Sequence, residues 1–170
     1  VRVLNLFQVF FKLDQFIQQA NALPQRPSNA ASSNGRLIFA LDATASRQPS
    51  WDRACQLQGN MFLASQGLAV QLCYYRGHHE FHHSGWLQKS QLLLRTMSQV
   101  QCLGGYTQLA RTLDHCLLET RHTSVQAVVI IADAIEESCA TLCHKAAQLG
   151  LLGTPLFIFQ EGLDHSVAAT

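Results

Sequence analysis

With 170 residues, 48% of them apolar, and a mean hydropathy of +0.05, the chain can build one domain with a substantial core. It is too short for two, and its composition excludes a disordered chain. Twelve basic against eleven acidic residues leave a formal charge of +1, so neither the positive field of a nucleic-acid binder nor an acidic tail is present. Charged residues make up only 14%, against about 25% in an average domain, so the surface must rely on Gln, Ser, Asn and His or be partly covered by a partner.

Residues 1–22 carry Phe7, Phe10, Phe11, Phe16 and Ile17 at helical spacing and predict an amphipathic helix. Asn5, Gln8, Lys12 and Asp14 interrupt it, and no run approaches the roughly 18 apolar residues of a membrane span, so the chain is expected to be soluble, with no membrane contact. The stretch PQRPSNAASSNG is a linker, which divides the chain into an N-terminal helix and linker (1–35) and a domain proper (36–170).

That domain alternates strands and helices. RLIFALD (36–42) reads as a strand covered on both faces, and SWDRACQLQGNMFLAS (50–65) as a helix with Trp51 in the core and Asp52 and Arg53 in solvent. LAVQLCYY (68–75) is a second strand, GHHEFHHSGW a turn with a short edge strand, and WLQKSQLLLRTMSQV (86–100) a helix. TQLARTLDHCLLET (107–120) places Leu109, Leu113, Cys116 and Leu117 on one helical face, with Thr107 suited to cap it. VQAVVIIAD (125–133), the most β-branched run, predicts a central strand. EESCATLCHKAAQLG (136–150) is a helix with Glu136 and Glu137 at its positive end, and TPLFIF (154–159) a last strand. The pattern implies an α/β fold of three layers, a doubly wound, mostly parallel sheet between helices.

Four of the six cysteines, Cys55, Cys116, Cys139 and Cys143, fall in apolar helical patterns. Buried, reduced thiols are expected, which point to a cytoplasmic setting. Cys139 and Cys143 lie one turn apart beside His144 but lack metal-site spacing, and Cys102 reads as a packing residue. His78, His79, His82 and His83, with Glu80, form a cluster that an extended segment would split between two faces.

Ligands of such a sheet sit beyond the carboxyl ends of the strands. There Asp42-Ala43-Thr44-Ala45-Ser46 presents oxygen-bearing side chains at alternate positions, Asp133 ends the strand VVIIA, and the flexible loop Gly104-Gly105-Tyr106-Thr107 can bring a third hydroxyl. Two carboxylates and three hydroxyls are hard oxygen donors of the kind Mg²⁺ or Mn²⁺ prefers. Two charges only balance a dication, which leaves a vacant position for a carboxylate brought by another molecule.

Asp-x-Thr-x-Ser after the first apolar strand, a Thr after a Gly-rich loop and an Asp ending a later strand resemble the metal-ion-dependent adhesion site of von Willebrand factor type A domains. Thr44 stands where the family has Ser and keeps the hydroxyl. The resemblance covers residues 36–165, and LIFALDATASRQPSWDRACQLQGNMF and PLFIFQEGLD are similar to small bacterial members. It implies a Rossmann-like fold in which Asp42, Thr44, Ser46, Thr107 and Asp133 hold Mg²⁺ or Mn²⁺ and a protein partner's Asp or Glu completes the octahedron. Related domains continue for a helix and an edge strand past 154–159, so that strand is expected to be an unprotected edge. The implied function is protein binding without catalysis. The alternatives are a Mg-dependent phosphoryl-transfer or hydrolytic enzyme with Asp42 as nucleophile, for which Lys12, Lys89 and Lys145 are badly placed, and a structural subunit with a vestigial site.

Overall fold

The computed structural model describes residues 2–5, 35–49, 51 and 68–160. Six strands form one sheet: β1 (Arg2–Asn5), β2 (Arg36–Asp42), β3 (Ala69–Arg76), β4 (Glu80–Leu87), β5 (Ala127–Ala132) and β6 (Leu156–Gln160). Their spatial order is β1-β6-β5-β2-β3-β4. All pairings are parallel except the β3–β4 hairpin, so the expected doubly wound α/β sheet is present. Three helices are described, α1 (Ser90–Ser98), α2 (Leu109–His122) and α3 (Cys139–Leu151). The expected helix over 50–65 lies outside the described residues save Trp51, which is buried in the core as expected.

The continuous apolar runs become the middle of the sheet because both of their faces are covered. Every residue of β5 is buried. One face carries Leu37, Phe39, Leu41, Val129 and Ile131 against Trp51 and the Leu93 and Met97 of α1. The other carries Ile38, Ala40, Val128 and Ile130 against Leu109, Leu113, Cys116 and Leu117 of α2 and Leu149 of α3. Odd and even residues of one strand thus serve two separate cores, the period-2 rule at work. It also puts the ends of β2 and β5 side by side, with Leu41 opposite Ile131.

Several expectations are corrected. Residues 2–5 are a parallel strand beside β6 instead of the first turn of a helix, and the rest of that predicted helix and linker lies outside the described residues. The outer edge of β6 needs backbone partners, and β1 supplies them, so 154–159 is not the free edge. The hairpin strand is longer than expected: Trp86 and Leu87 pair with Gln71 and Val70, which delays the next helix to Ser90. At a register shift in this hairpin the Leu72 N–H turns to the Ser84 hydroxyl, 3.0 Å away. Cys139 and Cys143 are exposed, because α3 buries only Leu149 fully and offers its cysteine face to solvent.

Candidate metal centre

β2 ends in Asp42, whose side chain is fully buried. Its Oδ1 accepts the Thr44 N–H at 2.8 Å, the local bond by which an Asp turns the chain at a strand end. This fold-back places the Thr44 and Ser46 hydroxyls 3.0 Å apart. Ser46 is exposed and sits in a short 3₁₀ turn, Ala45–Arg47, while Thr44 is buried. Oδ2 of Asp42 is buried with no hydrogen-bond partner, a costly arrangement for a carboxylate oxygen unless something else fills the position.

The next strand along, β5, is followed directly by half-buried Asp133. Burial pushes the Asp42 carboxyl above its usual range, the Thr44 bonds oppose that, and the charge of Asp133 adds to it. The phenol of Tyr75, at the end of β3, is driven well above its ordinary value by burial and then by Asp42. A group that disfavours its own charge this way is one a cation would relieve.

Backbone bonds draw the three predicted segments together. Ala43 N–H donates to Tyr75 O (2.9 Å), and Leu103 N–H to Ala43 O (3.0 Å), so the Gly-rich loop is laced to the loop carrying Asp42. Tyr106 N–H donates to Gly77 O at 3.3 Å. Gly77 takes φ +60° in the β3–β4 turn, and a Cβ on Gly105 would lie 1.8 Å from its carbonyl oxygen. The loop predicted to be flexible is therefore docked, and Gly105 is required by close backbone approach, not by mobility.

Thr107 joins this loop to the third segment. Its N–H donates to Glu136 Oε2 (2.9 Å), and its hydroxyl accepts the Glu136 N–H (3.3 Å). It is not the helix cap: Gln108 occupies that position and has no side-chain capping bond. The start of α2 is held from outside by Glu137, whose carboxylate accepts Leu109 N–H (2.5 Å) and Ala110 N–H (3.0 Å). The two glutamates expected at the positive end of their own helix act elsewhere, Glu137 at the start of α2 and Glu136 on Thr107 of the preceding loop, since α3 begins only at Cys139.

The structure thus groups Asp42, Thr44, Ser46 and Asp133 around the ends of β2 and β5, with Thr107 tied to the loop that follows Asp133. Sequence reasoning missed Arg47, which directly follows Ser46. It is 1% exposed and the largest fully buried side chain described. Burial lowers its pKa, and the charges of Asp42 and Asp133 oppose that shift. The signal in the sequence is an arginine one residue beyond the motif, where none of the lysines stands.

The histidine cluster divides as its alternation implied. His82 stacks on Tyr74 with ring centroids 5.0 Å apart, and His83 lies 4.6 Å from His115 of α2. Among the described residues, no three His, Cys, Asp or Glu side chains are placed to hold a metal ion together. Nor is any described helix long and apolar enough to cross a membrane.

No protein-family model matches the chain, and no curated protein matches its sequence. Solved structures do share the fold. An aerotolerance-related membrane protein from Bacteroides fragilis superposes with TM-score 0.63 at 16% identity, over 77% of this chain and 69% of that one. A variant of the PilB minor pilin from Streptococcus sanguinis gives TM-score 0.56 at 10% identity, over 85% of this chain and 54% of that one. The pilus adhesin SpaC from Lactobacillus rhamnosus GG, in its open conformation, gives 0.50 at 10% identity, over 61% and 15%. Sheet order, helix placement and these superpositions agree on the three-layer, mostly parallel α/β fold that the resemblance to von Willebrand factor type A domains implies.

Proposed function

We propose that the protein is a binding module that captures an acidic side chain of a partner protein through a divalent ion, Mg²⁺ or Mn²⁺, held by Asp42, Thr44, Ser46 and Asp133. The observation that carries this reading is the bare, buried Oδ2 of Asp42 beside two hydroxyls 3.0 Å apart. An oxygen left without a partner at that depth suits an ion better than water-free protein. The donors are hard oxygens, and they are too few to enclose the ion, so a corner stays open for a carboxylate. Thr107 would reach the ion only by exchanging its bond to Glu136, which makes it the ligand that changes on engagement.

A pilus adhesin and a minor pilin among the fold neighbours fit a role in binding proteins. The five described cysteines are all free thiols, which suits a reducing compartment such as the cytoplasm. No nucleic-acid or membrane partner is proposed, given the near-neutral charge. A phosphoester-hydrolysing reading lacks a described base or lysine at the motif, although it would use the same ion.

The test is an array of short peptides, each with a single Asp or Glu, probed with the purified protein in Mg²⁺ or in EDTA. Binding that requires Mg²⁺ and disappears in Asp42→Ala supports the reading. Binding indifferent to EDTA refutes it, and turnover of a generic phosphoester abolished by Asp42→Ala would favour the enzyme instead.

A further inference from the structure

Asp42 and Tyr75 are Cα partners in the parallel pairing of β2 with β3, and the Ala43 N–H, donating to Tyr75 O at 2.9 Å, locks that register at the strand ends. Register partners on neighbouring parallel strands, about 4.8 Å apart, send their side chains to the same face of the sheet. Both residues are fully buried. Each also ends in a polar atom without a hydrogen-bond partner, Oδ2 of Asp42 and the hydroxyl of Tyr75. After burial, Asp42 is what acts most on the phenol, by charge and by hydrogen bonding, ahead of Asp133. No bond of normal geometry closes between the two, however. We propose that the Tyr75 hydroxyl is a further member of the ion site, held beside Asp42 so that one hydrated ion satisfies both orphaned oxygens: Oδ2 binds the ion, and the phenol oxygen accepts a hydrogen bond from its water.

The chemistry of a buried phenol selects this role. A tyrosine that only filled the core would turn its hydroxyl to a carbonyl, because a bare buried hydroxyl costs more than a phenylalanine in the same place. Tyr75 does give its ring to the core, in the cluster of Leu109 and Leu113, but its hydroxyl sits on the carboxylate side of that cluster with no such acceptor. Mg²⁺ keeps several waters where few protein ligands reach it, and outer groups that bond to ligands and water set much of the affinity. Tyr75 is therefore a positioning residue, which acts on the ion through water and replaces none of Asp42, Thr44, Ser46 or Asp133. This role rests on the reading under Proposed function; the unpartnered state of the hydroxyl does not.

Tyr75→Phe tests it, because it removes one oxygen and keeps the ring. In EDTA its melting temperature should rise by about 2 °C or more above wild type, since a buried hydroxyl without a partner is gone. Calorimetric titration should find it binding Mn²⁺ about tenfold more weakly than wild type. Stability and ion affinity thus move in opposite directions, which loss of ordinary packing would not produce. Mg²⁺ should also change the near-ultraviolet tyrosine spectrum of wild type, and that change should be missing in Tyr75→Phe. A melting temperature in EDTA at or below that of wild type overturns the inference. So does Mn²⁺ affinity equal to wild type, and loss of binding in Asp42→Ala then leaves the ion reading standing without Tyr75. No Mn²⁺ binding by wild type overturns the ion reading, and the role of Tyr75 falls with it.

Discussion

Removing the Glu137 carboxylate should loosen α2 without touching its apolar face. In the native fold this side chain accepts two of the orphan N–H groups at the helix start, from Leu109 and Ala110, and Gln108 offers no cap of its own. Hydrogen bonds to a charged acceptor contribute about 1.5–3 kcal/mol each. Because Glu137 is only half-buried, the lower end applies, so Glu137→Ala is expected to cost about 2–3 kcal/mol. Glu137→Gln keeps one acceptor oxygen and loses the charge, which sets its cost at about 1 kcal/mol. For a chain of this size a kcal/mol moves the melting temperature by about 2–4 °C. Differential scanning calorimetry should then find Glu137→Ala lower by roughly 5–10 °C and Glu137→Gln by roughly 2–4 °C. An alanine variant within ~1 °C of wild type would refute the claim that α2 is capped from the loop after β5. The same loop holds Thr107 through Glu136, so the alanine variant should also raise hydrogen exchange at Thr107 and Leu109.

Three further outcomes follow from local geometry. Gly105→Ala drives a Cβ into the Gly77 carbonyl and should cost about 3 kcal/mol or more by denaturant titration, whereas Gly104→Ala, which meets nothing within 4 Å, should be nearly neutral. Burial pushes Cys116 up to about 12 and Cys73 well above its usual value, so a thiol reagent on native protein should modify exposed Cys139 and Cys143 rapidly and Cys73 and Cys116 only on unfolding. His115 is held below its ordinary pKa by burial and by His83. The unfolded chain therefore binds a proton there before the folded one does, and stability should decline as pH falls below about 6.5. Part of that slope should vanish in His115→Gln, which can keep the contact to Gln71; an identical pH profile would contradict the assignment.

Much of the molecule was legible because its middle is simple. VVIIA and LIFAL can only be strands covered on both sides, and both are fully buried. Asp42, Thr44 and Ser46 were readable as a unit because alternate positions after a strand share a direction, and the structure adds the Asp42–Thr44 bond that shapes the turn. What stayed hidden depends on contacts distant in sequence. Nothing local in Arg2–Asn5 says that β6 needs a neighbour, and phenylalanines at helical spacing farther on favoured a helix. Glu136 and Glu137 look like first-turn acids of α3 until the start of α2 is seen beside them. Gly105 reads as flexibility until the Gly77 carbonyl is placed against it. Arg47 followed polar residues in a short turn, a setting in which a solvated side chain is the ordinary outcome.

The most direct measurement is the melting temperature in EDTA and in saturating Mg²⁺, for wild type and Asp42→Ala. An ion at a hundred times its dissociation constant adds about 2.7 kcal/mol to the folded state, or roughly 5–10 °C here. Wild type should gain that stability and Asp42→Ala should gain none. A wild type indifferent to Mg²⁺, or an equal gain in both proteins, would mean that these oxygens do not bind the ion.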